Sequence, residues 1–137
     1  MSKIAVGAHG TIIKPDGKIL ITKRTAHDDY MPGCWDLPGG GVEFGEDVEA
    51  ALIREFKEEV NLTIEDVKPV FVYTDLSKIE DWEVQMVQIV FVASKYSGSI
   101  ELDLNEHDEY AWIDPVDLPK YECMPFLKAW GNHSHKK

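Results

Sequence analysis

Residues 39–62 constrain this chain most, because a glycine loop there runs directly into an acidic amphipathic segment, GGGVEFGEDVEAALIREFKEEVNL. Glu55, Glu58 and Glu59 are spaced i, i+3 and i+4, so a helix would project all three carboxylates from one face. Like charges at that spacing repel and cost a bare helix roughly 0.2–0.5 kcal/mol per pair. A hard divalent cation would offset this repulsion, and Mg2+ takes oxygen ligands and often also holds substrate phosphates. The segment therefore predicts a metal site on a helix.

The helix is predicted to begin after Asp47, a good N-cap residue, and to run to about Val60. Asn61 tolerates a left-handed backbone and can end the helix. At about 100° per residue, an apolar stripe faces the core and consists of Val48, Leu52, Ile53, Phe56 and Val60. Ala51 lies beside the glutamates, and its small side chain leaves room above the helix for an ion or a phosphate.

Three consecutive glycines, residues 39–41, precede this helix. Because glycine loses much conformational entropy on folding, the run predicts positive φ or a close approach of the backbone to another group. Glycine loops before helices also bind phosphates in other folds, but the lysine that completes a P-loop is absent here.

The rest of the chain is rich in predicted strands. The β-like runs are residues 3–13, 18–24, 67–74, 82–94, 100–102 and 110–113. A turn signal at residues 15–17 predicts a hairpin between the first two runs, and an acidic loop is predicted at residues 75–81. A turn of helix is predicted at residues 115–119, and a final helix at residues 122–130.

The chain is interpreted as a single domain spanning residues 1–137, because it contains no repeat, linker or second domain. A chain of this length buries roughly two-thirds of its unfolded surface and needs no disulfide or metal to fold. Gly131 is predicted to end the final helix, and residues 132–137 are predicted to form a disordered tail.

The net charge of −11 is the strongest compositional signal. It argues against a nucleic-acid backbone or an anionic membrane as the main partner, because both would be repelled. An anionic small molecule would be repelled as well. Bound metal ions and local Lys or Arg side chains would therefore have to reverse the potential inside a site for such a substrate.

Cysteine usage and the N-terminal sequence predict a cytoplasmic protein. Cys34 and Cys123 lie far apart and form no CxxC or Cys/His zinc pattern, which is typical of reduced thiols. The N-terminus lacks a basic region followed by an apolar stretch, so no secretion signal is predicted. No apolar run approaches the roughly 20 residues needed to cross a bilayer.

The acidic segment resembles the Nudix box, G-x5-E-x7-R-E-U-x-E-E-x-G-U. Gly40 and Glu46 occupy the first two fixed positions, and REFKEEVNL follows at residues 54–62. All five charged positions match at the right spacing. Phe56 stands where a smaller aliphatic residue is usual and Asn61 where glycine is usual, but neither position touches the chemistry. The flanks also resemble the family, with Trp-x-Leu-Pro-Gly-Gly leading into the box.

The resemblance implies an α+β protein with the Nudix fold, an α/β/α sandwich with a mixed β-sheet between helices. It also implies hydrolysis of a nucleoside diphosphate linked to another group, with Mg2+ as the cofactor and Mn2+ as a substitute. The implied metal ligands are Glu55, Glu58, Glu59 and, by analogy, the Gly39 carbonyl. Metal ions would neutralise the phosphoanhydride and lower the pKa of a bound water.

Arg54 is predicted to act in catalysis with Glu55 and Glu58 by forming an ion pair with Glu46 that orients the acidic cluster. The alternative for Glu46 is a helix N-terminal carboxylate stabilised by the helix dipole. Gly40 and Arg24 are predicted to contact the substrate, since Arg24 matches a phosphate-contacting position of the nucleoside-triphosphate members.

A general base must remove a proton from the attacking water. Family members often use a carboxylate from a late loop, and residues 105–109 occupy the matching place. Glu106 is the predicted base or an extra metal ligand. Glu109 is interpreted as structural or solvated, and His107 is a candidate base by residue type alone.

The preferred substrate prediction is a nucleoside triphosphate, cleaved to a monophosphate and pyrophosphate. ADP-ribose, dinucleoside polyphosphates and nucleotide sugars remain open, as does an inactive nucleotide-binding sensor. The complete set of box carboxylates argues against the sensor. The sequence does not determine the base, the number of metal ions or the oligomeric state, although a homodimer is common among relatives.

Overall fold

The structure is a computed structural model that describes residues 1–135 of the chain. Its elements within that range are β1 (Ser2–Ile12), β2 (Ile19–Arg24), β3 (Trp35–Asp36), β4 (Gly39–Gly41), α1 (Val48–Val60), β5 (Thr63–Ile79), β6 (Trp82–Ser97), β7 (His107–Ile113), a 3-10 helix (Pro115–Lys120) and α2 (Pro125–His135). Among these elements there is no helix long and apolar enough to cross a membrane.

The strands form two sheets. A four-stranded mixed sheet has the order β4-β1-β6-β5, in which β1 is parallel to β6 and the other pairs are antiparallel. A three-stranded antiparallel sheet has the order β3-β2-β7. The first glycines of the loop pair with β1, Gly39 opposite His9 and Gly40 opposite Ala8. Sheet pairing thus fixes the glycine loop before α1 begins.

Two hydrophobic cores place the helices on opposite sides of the larger sheet. Helix α1 contributes Leu52 and Phe56 to a core that also contains Phe91, and α2 contributes Phe126 to a core that contains Val90. Adjacent strand residues point to opposite faces, so Val90 and Phe91 separate the two cores across β6. This arrangement confirms the predicted α/β/α sandwich.

The prediction that the first two strands pair as a hairpin around residues 15–17 is wrong. The chain does turn there, but β1 and β2 belong to different sheets and meet at an Ile13–Ile19 bridge. The Thr11 hydroxyl donates to the Leu20 carbonyl over 2.7 Å and accepts from the Leu20 N–H over 2.9 Å. A buried side chain therefore takes the place of the expected backbone ladder.

The predicted loop at residues 75–81 is also wrong, because β5 and β6 form one long hairpin. Their register continues to the Ile79–Trp82 pair, and Glu80 in the turn has φ 55°. Burial alternates along this part of β5, with Asp75 and Ser77 partly buried and Leu76 between them exposed. That alternation is a strand pattern made of polar residues, which composition alone does not reveal.

The short strand predicted at residues 100–102 is irregular instead. The Glu101 N–H donates to the Val60 carbonyl over 3.0 Å, and the Asp103 N–H donates to the Glu59 carbonyl over 2.8 Å. The last carbonyls of a helix have no intrahelical partner. This segment satisfies two of them and so ties the approach to β7 to the end of α1.

The C-terminal helix begins at Pro125 rather than at residue 122 and continues past Gly131 to His135. A Cβ on Gly131 would lie 3.0 Å from Leu118 Cδ1, so glycine there permits close packing and does not end the helix. The predicted disordered tail is therefore wrong for residues 132–135. The remainder of that tail, residues 136 and 137, lies outside the described residues.

Candidate active site

Helix α1 begins and ends at the predicted residues. The Asp47 carboxylate accepts a hydrogen bond from the Ala50 N–H over 3.0 Å, and Asn61 closes the helix with φ 63°. Leu52, Phe56 and Val60 are fully buried. These caps and this buried stripe fix the face of the helix that carries the three glutamates.

The glycine loop fits closely against this face. Gly39 has φ 149°, and a Cβ there would lie 2.6 Å from His9 Cα. A Cβ on Gly40 would lie 3.0 Å from the carboxyl carbon of Glu55, whereas one on Gly41 would meet nothing within 4 Å. The predicted positive φ or close approach is found at Gly39 and Gly40, and Gly41 shows neither.

Glu59 is the buried member of the acidic cluster, with 5% of its surface exposed. Its Oε2 accepts a hydrogen bond from the Gly39 N–H over 3.0 Å. Burial raises the pKa of Glu59 far above its ordinary value, and neighbouring Glu55 raises it further, while the Gly39 hydrogen bond opposes the shift. A carboxyl group in this environment holds a proton unless a cation replaces it.

Arg54 and Glu46 form the predicted ion pair, and it is bidentate. Arg54 Nε lies 3.0 Å from Glu46 Oε2, and Nη2 lies 3.2 Å from Oε1. Hydrogen bonding to Glu46 raises the pKa of Arg54 and lowers the pKa of Glu46. Two parallel N–H donors fix the orientation of the guanidinium as well as its distance.

The third nitrogen of Arg54 lies between two of the predicted metal ligands. Nη1 is 3.1 Å from Glu55 Oε1 and 3.5 Å from Glu58 Oε2. The Glu58 side chain is 57% exposed, so it is free to rotate about this contact. Within residues 1–135 no three His, Cys or acidic side chains enclose a common point as they stand. The guanidinium occupies part of the space between the carboxylates instead.

Arg24 is held by acidic neighbours. Its Nη1 lies 3.1 Å from Asp36 Oδ2, its Nη2 lies 2.8 Å from Asp28 Oδ2, and its Nε donates to the Tyr30 carbonyl over 3.0 Å. Burial alone would lower the pKa of Arg24, but the bonds to Asp28 and Asp36 outweigh it and raise the pKa. The phosphate contact predicted for Arg24 stays a prediction, and three of its N–H groups already have partners.

The turn before β7 brings Glu106 and His107 to the site. Glu106 is exposed over much of its surface. The protein still removes part of the water around its carboxyl group, which raises the pKa of that group, and the nearby Asp103 raises it further. His107 is 3% exposed, and its Nδ1 lies 3.4 Å from Glu59 Oε1. Burial lowers the pKa of His107 and so favours the neutral imidazole, while the nearby Asp36 opposes this shift. Glu109 pairs with Lys23 at the surface over 3.7 Å, which fits its predicted structural role.

Sequence reasoning missed two polar residues beside the site. Asp36 is 2% exposed and accepts hydrogen bonds from Arg24 and from the Leu37 N–H. A lone acid between Trp35 and Leu37, just before the glycines, is the signal that could have identified it. His9, whose ring centroid lies 4.6 Å from that of Phe126, gives no comparable signal inside its strand.

A cavity of about 280 Å3 lies between the β5–β6 hairpin and the beginning of α2. Its walls combine apolar and aromatic side chains with four polar or charged ones, and the lining residues are Tyr30, Tyr73, Asp75, Ser77, Lys78, Ile79, Met86, Gln88, Met124, Pro125 and Phe126. Phe126 packs against His9, which pairs with Gly39. The cavity is therefore one strand away from the glycine loop.

The comparisons with known proteins agree with this geometry. The NUDIX domain model matches residues 2–131. The nucleoside triphosphatase NudI of Escherichia coli O139:H28 is 33% identical over 120 residues, covering 81% of this chain and 83% of that protein. NudI of Salmonella paratyphi B is 33% identical over 119 residues, with the same coverage.

The solved structures similar to this one include MutT proteins. The crystal structure of a MutT NUDIX hydrolase from Burkholderia pseudomallei matches with a TM-score of 0.82 at 28% identity, covering 95% of this chain and 97% of that one. The MutT protein from Methanosarcina mazei Go1 matches with a TM-score of 0.75 at 23% identity, covering 99% and 98% of the two chains. The second likeness concerns the fold alone.

The fold and the acidic helix together define a hydrolase of phosphoanhydride bonds, a pyrophosphohydrolase. The chain belongs to the Nudix family and is MutT-like within it.

Proposed function

We propose that this protein hydrolyses a nucleoside triphosphate to a nucleoside monophosphate and pyrophosphate, using Mg2+ bound at the face of α1. The observation that carries the proposal is the buried Glu59, placed beside Glu55 and hydrogen-bonded to the glycine loop. A buried carboxyl group beside another carboxylate is stabilised as an anion by a cation.

The donor set fits such a cation. The carboxylates of Glu55, Glu58 and Glu59 and the Gly39 carbonyl are hard oxygen ligands of the kind that Mg2+ prefers. Among the described residues, no Lys or Arg forms an ion pair with Glu59, and the nearest imidazole nitrogen, His107 Nδ1, lies 3.4 Å from its Oε1. When bound, the metal would neutralise the phosphoanhydride charge and activate a water, and Mn2+ would substitute for it.

The side chains around the donors organise the reaction. Arg54, fixed by Glu46, would hold Glu55 and Glu58 in orientation while the substrate is bound. Glu106 would accept the proton of the attacking water, because a base with a raised pKa is better matched to neutral pH. Gly40 would keep the Glu55 carboxylate close to the loop, and Arg24 would donate its remaining N–H groups to phosphate.

The nucleoside would bind in the cavity beside the glycine loop. Tyr30, Tyr73 and Phe126 offer aromatic surface for a base, and Gln88 and Asp75 offer polar groups at its edge. The relatives named nucleoside triphosphatase support a triphosphate substrate for this chain. A single domain over residues 1–137, a cytoplasmic location and a homodimer are proposed with it.

Identification of the products tests this function directly. The enzyme would be incubated with Mg2+ and a panel of nucleoside triphosphates, ADP-ribose, dinucleoside polyphosphates and nucleotide sugars in 18O-labelled water, and the products followed by 31P NMR and mass spectrometry. We expect a nucleoside monophosphate and pyrophosphate from a triphosphate. Release of inorganic phosphate, turnover confined to another substrate class, or tight nucleotide binding without turnover would contradict the proposal.

A further inference from the structure

His107 lies in an unusual position for a polar side chain. It is the first residue of β7, it lies opposite Arg24 where the β2–β7 register shifts, and it is 3% exposed. Its Nδ1 is buried and has no hydrogen-bond partner among the described residues. Buried polar atoms in native proteins are nearly always paired, so an unpaired one points to an interaction still to be completed.

The acceptor that lies near His107 Nδ1 is a carboxylate oxygen of the acidic cluster. His107 Nδ1 lies 3.4 Å from Glu59 Oε1, while the other oxygen, Oε2, accepts the Gly39 N–H over 3.0 Å. The Glu59 carboxylate therefore lies between the glycine-loop amide and the imidazole. A small movement of the ring would turn the 3.4 Å approach into a hydrogen bond.

Backbone contacts hold the imidazole in register with this carboxylate. The Asp103 carbonyl accepts the His107 N–H over 3.0 Å, and the Asp103 N–H donates to the Glu59 carbonyl over 2.8 Å. The turn that ends at His107 is thus attached to the same helical residue that the imidazole faces. Residues from α1, the glycine loop and β7 converge on a single side chain.

We propose that His107 is a positioning residue, which donates Nδ1–H to Glu59 and holds its carboxylate in the orientation that binds a divalent cation. This inference rests on the proposed metal site and replaces the role of general base considered for His107. Ligating carboxylates are commonly held by such outer hydrogen bonds, and losing one typically costs about 10–100-fold in metal affinity.

Two substitutions separate positioning from bulk packing. His107→Asn places an amide N–H near the position of Nδ1, whereas His107→Gln places it near the position of Nε2. The control is His133→Gln, because His133 is an exposed histidine of α2 whose ring centroid lies 5.1 Å from that of Phe71, on the side of the larger sheet opposite α1. Mn2+ affinity of the full chain, measured by EPR without substrate, is the readout.

We expect His107→Gln to weaken Mn2+ binding by about 10–100-fold, and His107→Asn and His133→Gln to bind nearly as wild type does. Equal losses in the Asn and Gln variants, or none in the Gln variant, would overturn the inference. A wild-type protein that binds no Mn2+ would instead refute the proposed metal site itself.

A measurement on the wild-type protein covers the case in which a variant does not fold. With Mg2+ bound, 15N NMR of labelled imidazole reports which nitrogen of His107 carries the proton. The proposal requires the Nδ1–H tautomer, and a proton on Nε2 alone would overturn it.

Discussion

At the residue scale, three glutamates of similar sequence context have different surroundings. Glu59 is buried, Glu55 is partly covered, and Glu58 is largely exposed. Glu59 is held by Gly39 from one side, whereas Glu58 contacts Arg54 from a solvated position. Removing the charge of Glu58 should therefore change metal binding without disturbing the core.

Glu58→Gln is expected to lower kcat by at least about 100-fold. Substituting a residue that merely hydrogen-bonds to a metal ligand already costs about 10–100-fold in metal affinity or activity, and Glu58 is itself a proposed ligand. The measurement is steady-state hydrolysis at saturating Mg2+, with thermal unfolding to establish that the variant is folded. Glu49→Gln is the matched control, because Glu49 is an exposed acid in the first turn of the same helix. Near wild-type turnover of Glu58→Gln would refute its assignment as a ligand.

Gly40→Ala is expected to lower kcat by about 10–100-fold, because its Cβ would stand 3.0 Å from the Glu55 carboxyl carbon and displace that side chain. Gly41→Ala is the control, since a Cβ there meets nothing within 4 Å. Equal kinetics for the two variants would show that the space beside Glu55 is not needed.

Glu106→Gln should remove the acid limb of the kcat–pH profile if Glu106 is the base. Its raised pKa means that wild-type activity falls as pH drops through a value above that of an ordinary glutamate. The loss in the variant should be about 100–10,000-fold above that pKa and smaller below it, where wild type is also protonated. The control Glu109→Gln should keep the acid limb of the kcat–pH profile. An acid limb that also persists in Glu106→Gln would show that another group is the base.

Residue identity was predictable from the box, but residue environment was not. The spacing places Glu55, Glu58 and Glu59 on one face, yet it cannot tell which of them is buried, because burial depends on the glycine loop and on β7. The same holds for Arg24, whose ion pairs with Asp28 and Asp36 join residues that the sequence gives no reason to associate.

At the element scale, α1 was predictable because its caps, its apolar stripe and its acidic face are all local in sequence. Most of the strands were predictable from the sequence, but which strands pair with one another was not. Whether β2 pairs with β1 or with β7 depends on contacts between distant residues. The Thr11–Leu20 hydrogen bonds, which join the two strands without a ladder, are such contacts, and no turn signal reveals them. Gly131 was misjudged because its packing against Leu118 is a tertiary contact.

The end of α1 gives a prediction at this scale. Asn61 has φ 63°, and its side-chain amide donates to the Ser99 carbonyl over 3.2 Å. Asn61→Ala should lower the free energy of unfolding by about 1–2 kcal/mol, because a Cβ-bearing residue without a polar side chain is strained there. Asn61→Gly should lose less, since glycine adopts this φ freely. Chemical denaturation checks both, and equal stabilities would contradict a left-handed cap.

At the scale of the whole molecule, the protein has a net charge of −11, which repels the anionic substrate of the proposed function. The two arginines near the site are both paired, Arg54 with Glu46 and Arg24 with Asp28 and Asp36. Lys78 in the lining of the cavity adds one further positive charge. Under the proposed function, bound metal would supply most of the charge that neutralises the substrate, and Glu59 is its proposed buried ligand.

The position of the bound metal is the most direct test of this account. Crystals grown with Mn2+ and a non-hydrolysable nucleoside triphosphate would be measured at the manganese absorption edge. The account predicts an anomalous peak coordinated by Glu55, Glu58 and Glu59, with the Gly39 carbonyl beside it. No peak at that face of α1, or a peak held by other residues, would contradict the account.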